Sequence, residues 1–355
     1  MIKNKLKENV SLKNLTTFKI GGAARFFVSV ETVEDVIEAV TFADEYGVKI
    51  FVLGGGSNIL ISDNGFDGLV LQVNLKGIEI ESETAENVTI SAGAGEDWDE
   101  FTAFCVERNF AGIECLSGIP GFVGGTPIQN VGAYGQEVSE TISAVKVFDR
   151  KSKEILNLNN EDCKFTYRSS IFNTTNKNRF IVLSVSYLLK KNGKPKIFYK
   201  DLLQLFESKT PSLSETREAV CGIRAEKGML VRQGGPDSHS AGSFFKNPII
   251  SNESFQNIVE IAKTNSYENV PHFKADEKNI KLPAAWLIER SGFHKGFQKG
   301  NVGVSTKHSL ALTNCGNATA KEIIELKNEI QKTVKEKFGI ALKTEPIFVG
   351  FKNND

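Results

Sequence analysis

The chain has 355 residues, of which 40% are hydrophobic and 24% are charged, enough for two or three folded domains with a substantial core. Its 43 lysine and arginine residues balance its 43 aspartate and glutamate residues. A net charge of zero provides no bulk attraction to nucleic acid or to an anionic membrane, so we expect neither as a partner.

Cysteine and histidine usage favours an intracellular protein without a metal centre. The five cysteines are widely spaced and form no C-x-x-C pair, as is typical of reduced packing thiols. The four histidines lack metal-ligand spacing and all follow residue 238. No hydrophobic signal core or apolar run of about 18 residues is present. We expect a cytoplasmic monomer.

The first 73 residues predict an α/β unit. Residues 15–30 have the pattern of a strand, a Gly-Gly turn and a second strand. Glu31–Gly47 carries apolar residues at helical spacing, with Thr32 as a capping residue. The apolar runs Ile50–Leu53 and Leu69–Val73 predict buried strands.

From about residue 75 the pattern changes to short alternating runs. Asn87–Ala92, Ala144–Phe148 and Phe180–Leu189 predict strands, and Glu96–Asn109 predicts an amphipathic helix. A third region begins near Phe198 and ends in a strand over Ile340–Gly350. Its predicted helices are Ser212–Lys227, Pro283–Ser291 and Thr319–Phe338. The chain is therefore expected to be an α+β protein.

Two glycine-rich segments follow predicted strands or helices. The glycine loop is Gly54-Gly55-Gly56-Ser57-Asn58, and the glycine stretch is residues 112–135, with seven glycines and a single charge at Glu114. Glycine allows backbone amides to close on phosphate oxygens. Neither segment has the G-x-G-x-x-G or G-x-x-x-x-G-K-[ST] spacing, which disfavours a Rossmann domain and a P-loop. A buried, turn-rich connection is the alternative interpretation of the stretch.

Three further stretches place polar side chains among apolar neighbours. Arg168 lies in an aromatic-flanked run, Ser243 precedes a Phe-Phe pair, and Glu345 lies in the last predicted strand. Their ordinary roles would be a salt bridge, a turn or cap, and an edge-strand charge. The residues by themselves indicate a dinucleotide-type site without specifying a reaction.

The chain resembles the UDP-N-acetylenolpyruvoylglucosamine reductase (MurB) family, in its type I form, from about residue 15 to residue 350. The resemblance lies in an ordered set of motifs: TTFKIGGAA, VLGGGSN, GIPGFVGGTPIQNVGAYG, YRSSIF, GSFFKNP, PAAWLIERSGFHKG and the terminal glutamate strand. It implies a three-domain FAD-binding fold of the vanillyl-alcohol-oxidase-like, non-Rossmann type. The implied domains are residues 1–72 with 340–355, 73–197 and 198–339, the last binding substrate.

The resemblance also implies one non-covalently bound FAD, with NADPH as co-substrate. The implied FAD-binding residues are Gly54, Gly55, Gly56, Ser57, Asn58, Ser117, Gly118, Ile119, Pro120, Gly121, Gly124, Gly125, Gln129, Asn130, Gly132, Ala133, Tyr134 and Arg224. The implied reaction reduces UDP-N-acetylglucosamine enolpyruvate to UDP-N-acetylmuramate, a step of peptidoglycan precursor synthesis.

In the implied mechanism, hydride passes from flavin N5 to substrate C3 and a proton passes from Ser243 to C2. Arg168 would stabilise the negative charge that develops on the substrate, because its guanidinium fork suits a carboxylate. Glu345 is the third implied catalytic residue, expected to be protonated or paired with a cation. The implied substrate-binding residues are Tyr167, Tyr199, Lys227, Asn247, Lys295 and His308.

Three departures from the family pattern affect these expectations. His308 stands where some members have glutamine, and the loop Gly228–Ala241 is longer than usual. Pro346 follows the catalytic glutamate and removes an amide donor, which leaves the local strand pairing open. The rival interpretations are a sugar or alcohol oxidase on the same flavin fold, and a flavin- or nucleotide-sugar-binding regulator without catalysis.

Overall fold

A computed structural model describes residues 2–207, 209–230, 235–267 and 269–352. The chain divides into two compact units. The first comprises the residues up to Ser11 together with Ala23–Gly56 and Phe66–Glu226, and the second comprises Leu12–Gly22, Ser57–Gly65 and the residues from Lys227 onward. The three-domain division expected from the sequence stays a prediction.

The helices and strands of the described residues follow one another through both units. The α-helices are α1 (Val33–Glu45), α2 (Trp98–Glu107), α3 (Lys200–Phe206), α4 (Leu213–Glu226), α5 (Asn252–Thr264), α6 (Ala284–Arg290) and α7 (Ala320–Phe338). The strands are β1 (Lys7–Ser11), β2 (Ala23–Val30), β3 (Lys49–Leu53), β4 (Ile59–Ile61), β5 (Phe66–Val73), β6 (Ile78–Glu83), β7 (Asn87–Gly93), β8 (Phe110–Ala111), β9 (Gly132–Ala133), β10 (Gln136–Glu137), β11 (Ile142–Asp149), β12 (Ile155–Asn159), β13 (Phe180–Lys191), β14 (Ile249–Ser251), β15 (Phe273–Lys274), β16 (Asn279–Lys281), β17 (Gln298–Lys299), β18 (Val302–Val304), β19 (Leu312–Asn314) and β20 (Ile347–Val349).

The first unit contains two principal sheets. One has the order β1-β2-β5-β3, in which β5 runs parallel to both β2 and β3. The other is antiparallel in the order β12-β11-β13-β7-β6, with β8 also paired to β13. Thr32 is the N-cap of helix α1, and its hydroxyl accepts a hydrogen bond from the amide of Asp35 at 3.1 Å. The sheet order differs from a doubly wound Rossmann sheet, as the glycine spacing predicts.

Two core aromatic side chains of the first unit hold the glycine stretch in place. Trp98 and Tyr187 are both almost fully buried. The Trp98 Nε1 donates to the carbonyl oxygen of Leu116 at 3.0 Å, and the Tyr187 hydroxyl lies 2.7 Å from the Thr126 hydroxyl. Each buried ring contributes roughly 2–3 kcal/mol of hydrophobic stabilisation, and its polar atom fixes one residue within the stretch.

In the second unit, α7 is the principal helix against the core. Thr319 and Glu322 form the predicted capping box, and Gly339 ends the helix in a left-handed conformation with φ 71°. The buried stripe of α7 packs with Phe18, Phe244 and Phe245. Three small sheets complete this unit, with orders β14-β16-β15, β17-β18-β19 and β20-β4.

The structure corrects the sequence predictions at several points. The expected strand over residues 15–20 is wrong, because Lys13–Leu15 is a 3₁₀ helix and β1 is the antiparallel partner of β2. Phe18 and Ile20 are buried in the core of the second unit, which explains their strand-like alternation. The expected strand over Ile340–Gly350 is shortened to β20. Helices α3 and α5 were not predicted. None of the described helices is long and apolar enough to cross a membrane.

Candidate active site

The glycine loop and the glycine stretch meet through their backbones in the first unit. A Cβ atom added to Gly55 would lie 2.7 Å from the Cα of Gly121 and 3.2 Å from the amide nitrogen of Phe122. Gly121 has a φ of 127°, which side chains disfavour. Glycine is therefore required at both positions for this close approach.

Other glycines of the two segments are not required by the chain's own packing. A Cβ atom at Gly125 would have no atom within 4 Å, and one at Gly54 would meet only the Phe122 Cβ at 4.0 Å. Neither residue has a left-handed φ. Side chains there would project into open space beside the paired glycine segments, which is the space that a bound cofactor needs. These features fit an FAD cradle.

Two buried carboxylates, which the sequence analysis missed, accept hydrogen bonds from backbone amides of the glycine stretch. Glu114 is fully buried and accepts hydrogen bonds from the Gln136 side chain at 2.8 Å and from the Gly112 amide at 2.7 Å. Asp99 accepts from the Gly118 amide at 2.6 Å and is paired with Arg217. Because charges are buried only when paired or hydrogen-bonded, these contacts fix the backbone of the stretch. In the sequence, the single charge at Glu114 within an otherwise uncharged run was the feature that could have indicated these buried carboxylates.

Arg224 connects helix α4 to the glycine stretch. Its side chain is buried, and its Nε donates to the carbonyl oxygen of Gly118 at 3.0 Å. Burial lowers the pKa of the Arg224 guanidinium, although a hydrogen bond with the Tyr134 side chain acts in the opposite direction. The predicted FAD-binding residues Gly118, Tyr134 and Arg224 are therefore brought together.

Tyr134 occupies a strained turn. It has a φ of 50° and Gly135 has a φ of 86°, so both central residues of the β9–β10 hairpin are left-handed, as in a type I′ turn. A left-handed conformation is uncommon for a bulky residue and marks functional positions. The Tyr134 ring packs edge-on against Tyr199, with centroids 5.2 Å apart. Tyr199 is the N-cap of α3.

Arg168 is held against the glycine stretch. Its Nη2 donates to the carbonyl oxygen of Gly132 at 2.6 Å, and its Nη1 donates to that of Asn130 at 3.4 Å. Arg168 and Asn130 both have left-handed backbones, with φ of 53° and 46°. The guanidinium lies 5.5 Å from the centre of the Tyr167 ring. The structure thus brings this predicted catalytic residue to the predicted flavin-binding stretch.

The remaining predicted FAD-binding residues of the first unit follow the same backbone. Gly56 completes the glycine loop in this unit with a φ of 65°, and the Ser117 hydroxyl donates to the carbonyl oxygen of Glu114 at 2.7 Å. Gly124 packs tightly, since an added Cβ atom would lie 2.6 Å from the Ala94 Cβ. Ile119, Pro120 and Gln129 are half-buried along the stretch, and Ala133 lies in β9.

In the second unit, the catalytic residues expected from the sequence lie on paired segments. The amide of Glu345 donates to the carbonyl oxygen of Phe244 at 2.9 Å, and Phe245 forms an antiparallel bridge with Thr344. Ser243 is therefore next to the residue that pairs with Glu345. Both Ser243 and Glu345 are half-buried.

Pro346 stands where the chain changes pairing partner. Glu345 pairs with Phe244, and the Ile347 amide donates to the carbonyl oxygen of Asn58 at 3.0 Å as β20 joins β4. Because residue 346 lies between these two pairings, no amide donor is needed there, and proline is compatible with both. The carbonyl oxygen of Ser57 accepts from the Thr17 hydroxyl at 3.5 Å.

The predicted substrate-binding residues of the second unit occupy different settings. Asn247 accepts from the Ala284 amide at 2.9 Å and thereby caps α6, a structural role that its motif did not reveal. Lys295 is exposed, whereas Lys227 and His308 are half-buried. Residues 231–234 of the long Gly228–Ala241 loop lie outside the described residues. The contacts of all these residues with substrate stay predictions.

Comparison with known proteins first defines the class. Residues 24–159 match a family model described as an FAD binding domain, and they include the glycine loop and the glycine stretch. Together with the cradle, this match defines a flavin-dependent oxidoreductase, and the predicted FAD cofactor is confirmed. Residues 235–349 match a second model, the C-terminal domain of UDP-N-acetylenolpyruvoylglucosamine reductase.

The chain belongs to the UDP-N-acetylenolpyruvoylglucosamine reductase family. It is 41% identical over 349 residues to the reductase of Thermobifida fusca, covering 96% of this chain and 97% of the relative. It is 38% identical to that of Flavobacterium johnsoniae, covering 96% and 98%. The crystal structure of the Thermus caldophilus reductase (MurB) matches with a TM-score of 0.67 at 24% identity, covering 97% of this chain and 99% of that one. The predicted α+β fold class with an FAD-binding domain and the expected enzyme class are confirmed.

Proposed function

We propose that this enzyme is an NADPH-dependent UDP-N-acetylmuramate dehydrogenase that reduces UDP-N-acetylglucosamine enolpyruvate as a cytoplasmic monomer. The observation that carries the proposal is the arrangement of Ser243 and Glu345 on paired backbone segments of a family member. A proton donor and a second acidic group on adjacent segments suit a reaction that protonates a carbon atom.

Bound FAD would supply hydride-transfer chemistry between NADPH and C3 of the enol ether. The glycine loop and the glycine stretch would hold this cofactor, with Arg224 on α4 securing the stretch at Gly118 and Tyr134. Hydride addition at C3 leaves negative charge on C2 and on the adjacent carboxylate. An unactivated enol ether resists this step, so the charge must be stabilised by fixed donors.

Arg168 is the residue that we assign to that charge. A guanidinium remains cationic and presents a planar fork to a carboxylate. Its contacts with the carbonyl oxygens of Gly132 and Asn130 restrict its position before substrate binds. Such preorganisation avoids a reorganisation cost during the reaction. The strained left-handed backbone of Arg168 is consistent with a functional position.

Ser243 would then transfer its hydroxyl proton to C2, which completes the reduction of the double bond. The serine is left as an alkoxide, a strong base, and must regain a proton from water or from a neighbouring acid. Glu345 in its protonated form would donate a hydrogen bond to the developing enolate. Tyr167, Tyr199, Lys227, Asn247, Lys295 and His308 would bind the sugar nucleotide.

The test is anaerobic stopped-flow absorbance near 450 nm on the FAD-loaded protein. NADPH should bleach the flavin band, and UDP-N-acetylglucosamine enolpyruvate should restore it. Bleaching without restoration by the sugar, together with rapid reoxidation by oxygen, would identify an oxidase on this fold and overturn the proposal. A flavin that NADPH does not bleach would indicate a binding protein without catalysis.

A further inference from the structure

Asp237, which neither the motifs nor the proposed mechanism uses, organises a turn that carries a predicted substrate residue. It is 8% exposed and lies six positions before Ser243. Its Oδ1 accepts a hydrogen bond from the Thr306 amide at 2.8 Å, and its Oδ2 accepts from the Thr306 hydroxyl at 2.7 Å. The Ser305 side chain also hydrogen-bonds to this carboxylate.

Ser305 transmits this anchoring to the next two residues. Its hydroxyl oxygen accepts from the amide of Lys307 at 3.1 Å and from the amide of His308 at 3.2 Å. Asp237 and Ser305 therefore bind the amides of residues 306, 307 and 308 in succession. Without the Asp237 carboxylate, the donors of Ser305 and Thr306 would lose their common hydrogen-bond acceptor.

The contacts of Asp237 require an ionised carboxylate. Burial opposes ionisation, but the hydrogen bonds from Ser305 and Thr306 outweigh it and lower the pKa of Asp237. An ionised carboxylate only accepts hydrogen bonds, and the groups from Ser305 and Thr306 that surround it are donors. An asparagine has a single acceptor oxygen and no charge, so it would hold these donors more weakly than the carboxylate does.

Residues 237–244, which run from Asp237 past Ser243, also pair with the residues that follow the 305–308 turn. The Asn314 amide donates to the carbonyl oxygen of His239 at 2.9 Å, and the Phe244 amide donates to that of Leu310 at 2.7 Å. Residues 237–244 therefore lie beside residues 305–314, fixed at both ends. His308 lies between two of these contacts, that of Asp237 with Thr306 and that of Phe244 with Leu310.

We propose that Asp237 is a positioning residue that sets the 305–308 turn, and through it His308, for binding of the UDP-sugar. The proposal rests on the proposed function, because it assigns His308 to the bound sugar nucleotide. It predicts that Asp237→Asn raises the KM for UDP-N-acetylglucosamine enolpyruvate roughly tenfold, the effect of losing one hydrogen bond to a charged group. The kcat should change less than twofold, since no group at the reacting carbons is altered.

Asp276→Asn is the matched control. Asp276 accepts from the amides of Lys278 and Asn279 at 2.8 and 2.9 Å, so it also anchors a turn of the second unit. Asp276 is exposed, so this variant controls for the loss of a negative charge that anchors a turn, and its KM should stay at the wild-type value. Thr306→Val removes only the hydroxyl contact with Asp237 and should raise KM in the same direction by a smaller factor.

The experiment combines hydrogen exchange with steady-state kinetics on the FAD-loaded enzyme. Asp237→Asn should speed exchange of the amides of residues 306–308, and His308→Ala should raise KM in the wild type but add little to the Asp237→Asn variant. Unchanged exchange, faster exchange with an unchanged KM, or fully additive KM effects would each overturn the inference. If Asp237→Asn does not fold, Thr306→Val decides by the same readouts. A wild-type protein that does not turn over the UDP-sugar fails the proposed function instead, while the exchange result still tests the turn.

Discussion

Glu345 pairs through its backbone with Phe244, the neighbour of Ser243, at an N–O distance of 2.9 Å. The pairing joins residues about a hundred positions apart and leaves both functional side chains outside the hydrogen-bond ladder. Replacing either side chain therefore leaves the pairing intact. This arrangement makes the two residues suitable for substitution experiments that separate chemistry from folding.

Ser243→Ala should retain FAD and its reduction by NADPH but lose reoxidation by the UDP-sugar. Only the second half-reaction requires protonation of C2, and losing a proton donor costs roughly 10²- to 10⁴-fold in rate. Stopped-flow absorbance at 450 nm measures the two half-reactions separately. Ser214→Ala, an exposed serine on α4, is the control and should behave as the wild type. Slow reduction by NADPH with normal reoxidation would contradict the assignment of Ser243.

Arg168→Lys should lower kcat for the UDP-sugar by roughly 10²- to 10³-fold while FAD remains bound. Lysine keeps the positive charge and the left-handed non-glycine backbone, but it cannot donate as a planar fork to two carbonyl oxygens and a carboxylate. Steady-state kinetics with the flavin spectrum as a loading check measures this effect. Lys146→Arg, an exposed exchange between the same two residue types on β11, is the control. A variant with wild-type kcat would remove Arg168 from the catalytic set.

Local patterns predicted those elements whose signals lie within one segment. The capping box of α7, its apolar stripe and Gly339 lie within about twenty consecutive residues, and the structure has that helix as predicted. Helix α1 and strands β3, β7 and β13 were similarly predictable. The resemblance to a known family supplied the site, because no local pattern distinguishes a catalytic serine from a turn serine.

Long-range contacts could not be predicted from the sequence. Asp237 and Thr306 are 69 positions apart, and nothing in either segment indicates that they meet. Asn247 was predicted to bind substrate, and the structure adds a role that its motif did not show, because its side chain accepts a hydrogen bond from the Ala284 amide at the start of α6. Phe18 alternated as in a strand because it enters the core, not because its backbone joins a ladder. In each case the local sequence is compatible with several roles, and a tertiary contact determines which role the residue has.

Arg224→Met should raise the dissociation constant for FAD roughly tenfold or more. Methionine fills part of the buried space but cannot donate to the carbonyl oxygen of Gly118 or bond with Tyr134, so the glycine stretch is less well fixed. Titration of the apoprotein with FAD, followed by flavin fluorescence, measures the constant. Arg25→Met, at an exposed position on β2, should leave it unchanged. Equal affinity in both variants would place Arg224 outside FAD binding.

An ion pair between Asp149 and Arg179 stabilises the first unit. Asp149 is fully buried at the end of β11, and its Oδ2 lies 2.7 Å from the Arg179 Nη2. The hydrogen bonds from Arg179 lower the pKa of Asp149 from 3.8 to about 2. Because the folded-state pKa is depressed, the ionised carboxylate stabilises the fold above the unfolded-state pKa, and this contribution is lost as the pH falls through the folded-state value.

Asp149→Asn should therefore lower the free energy of unfolding by about 2 kcal/mol at pH 7, as the size of the pKa shift implies. The difference from wild type should stay constant down to about pH 4 and shrink toward about pH 2, because the wild type loses its advantage there. Urea unfolding at a series of pH values measures both quantities. Asp67→Asn breaks an exposed pair with Arg25 and should cost less than about 1 kcal/mol at any pH. A difference for Asp149→Asn that does not shrink below pH 4 would show that the lost packing of the carboxylate, not its charge, destabilises the variant.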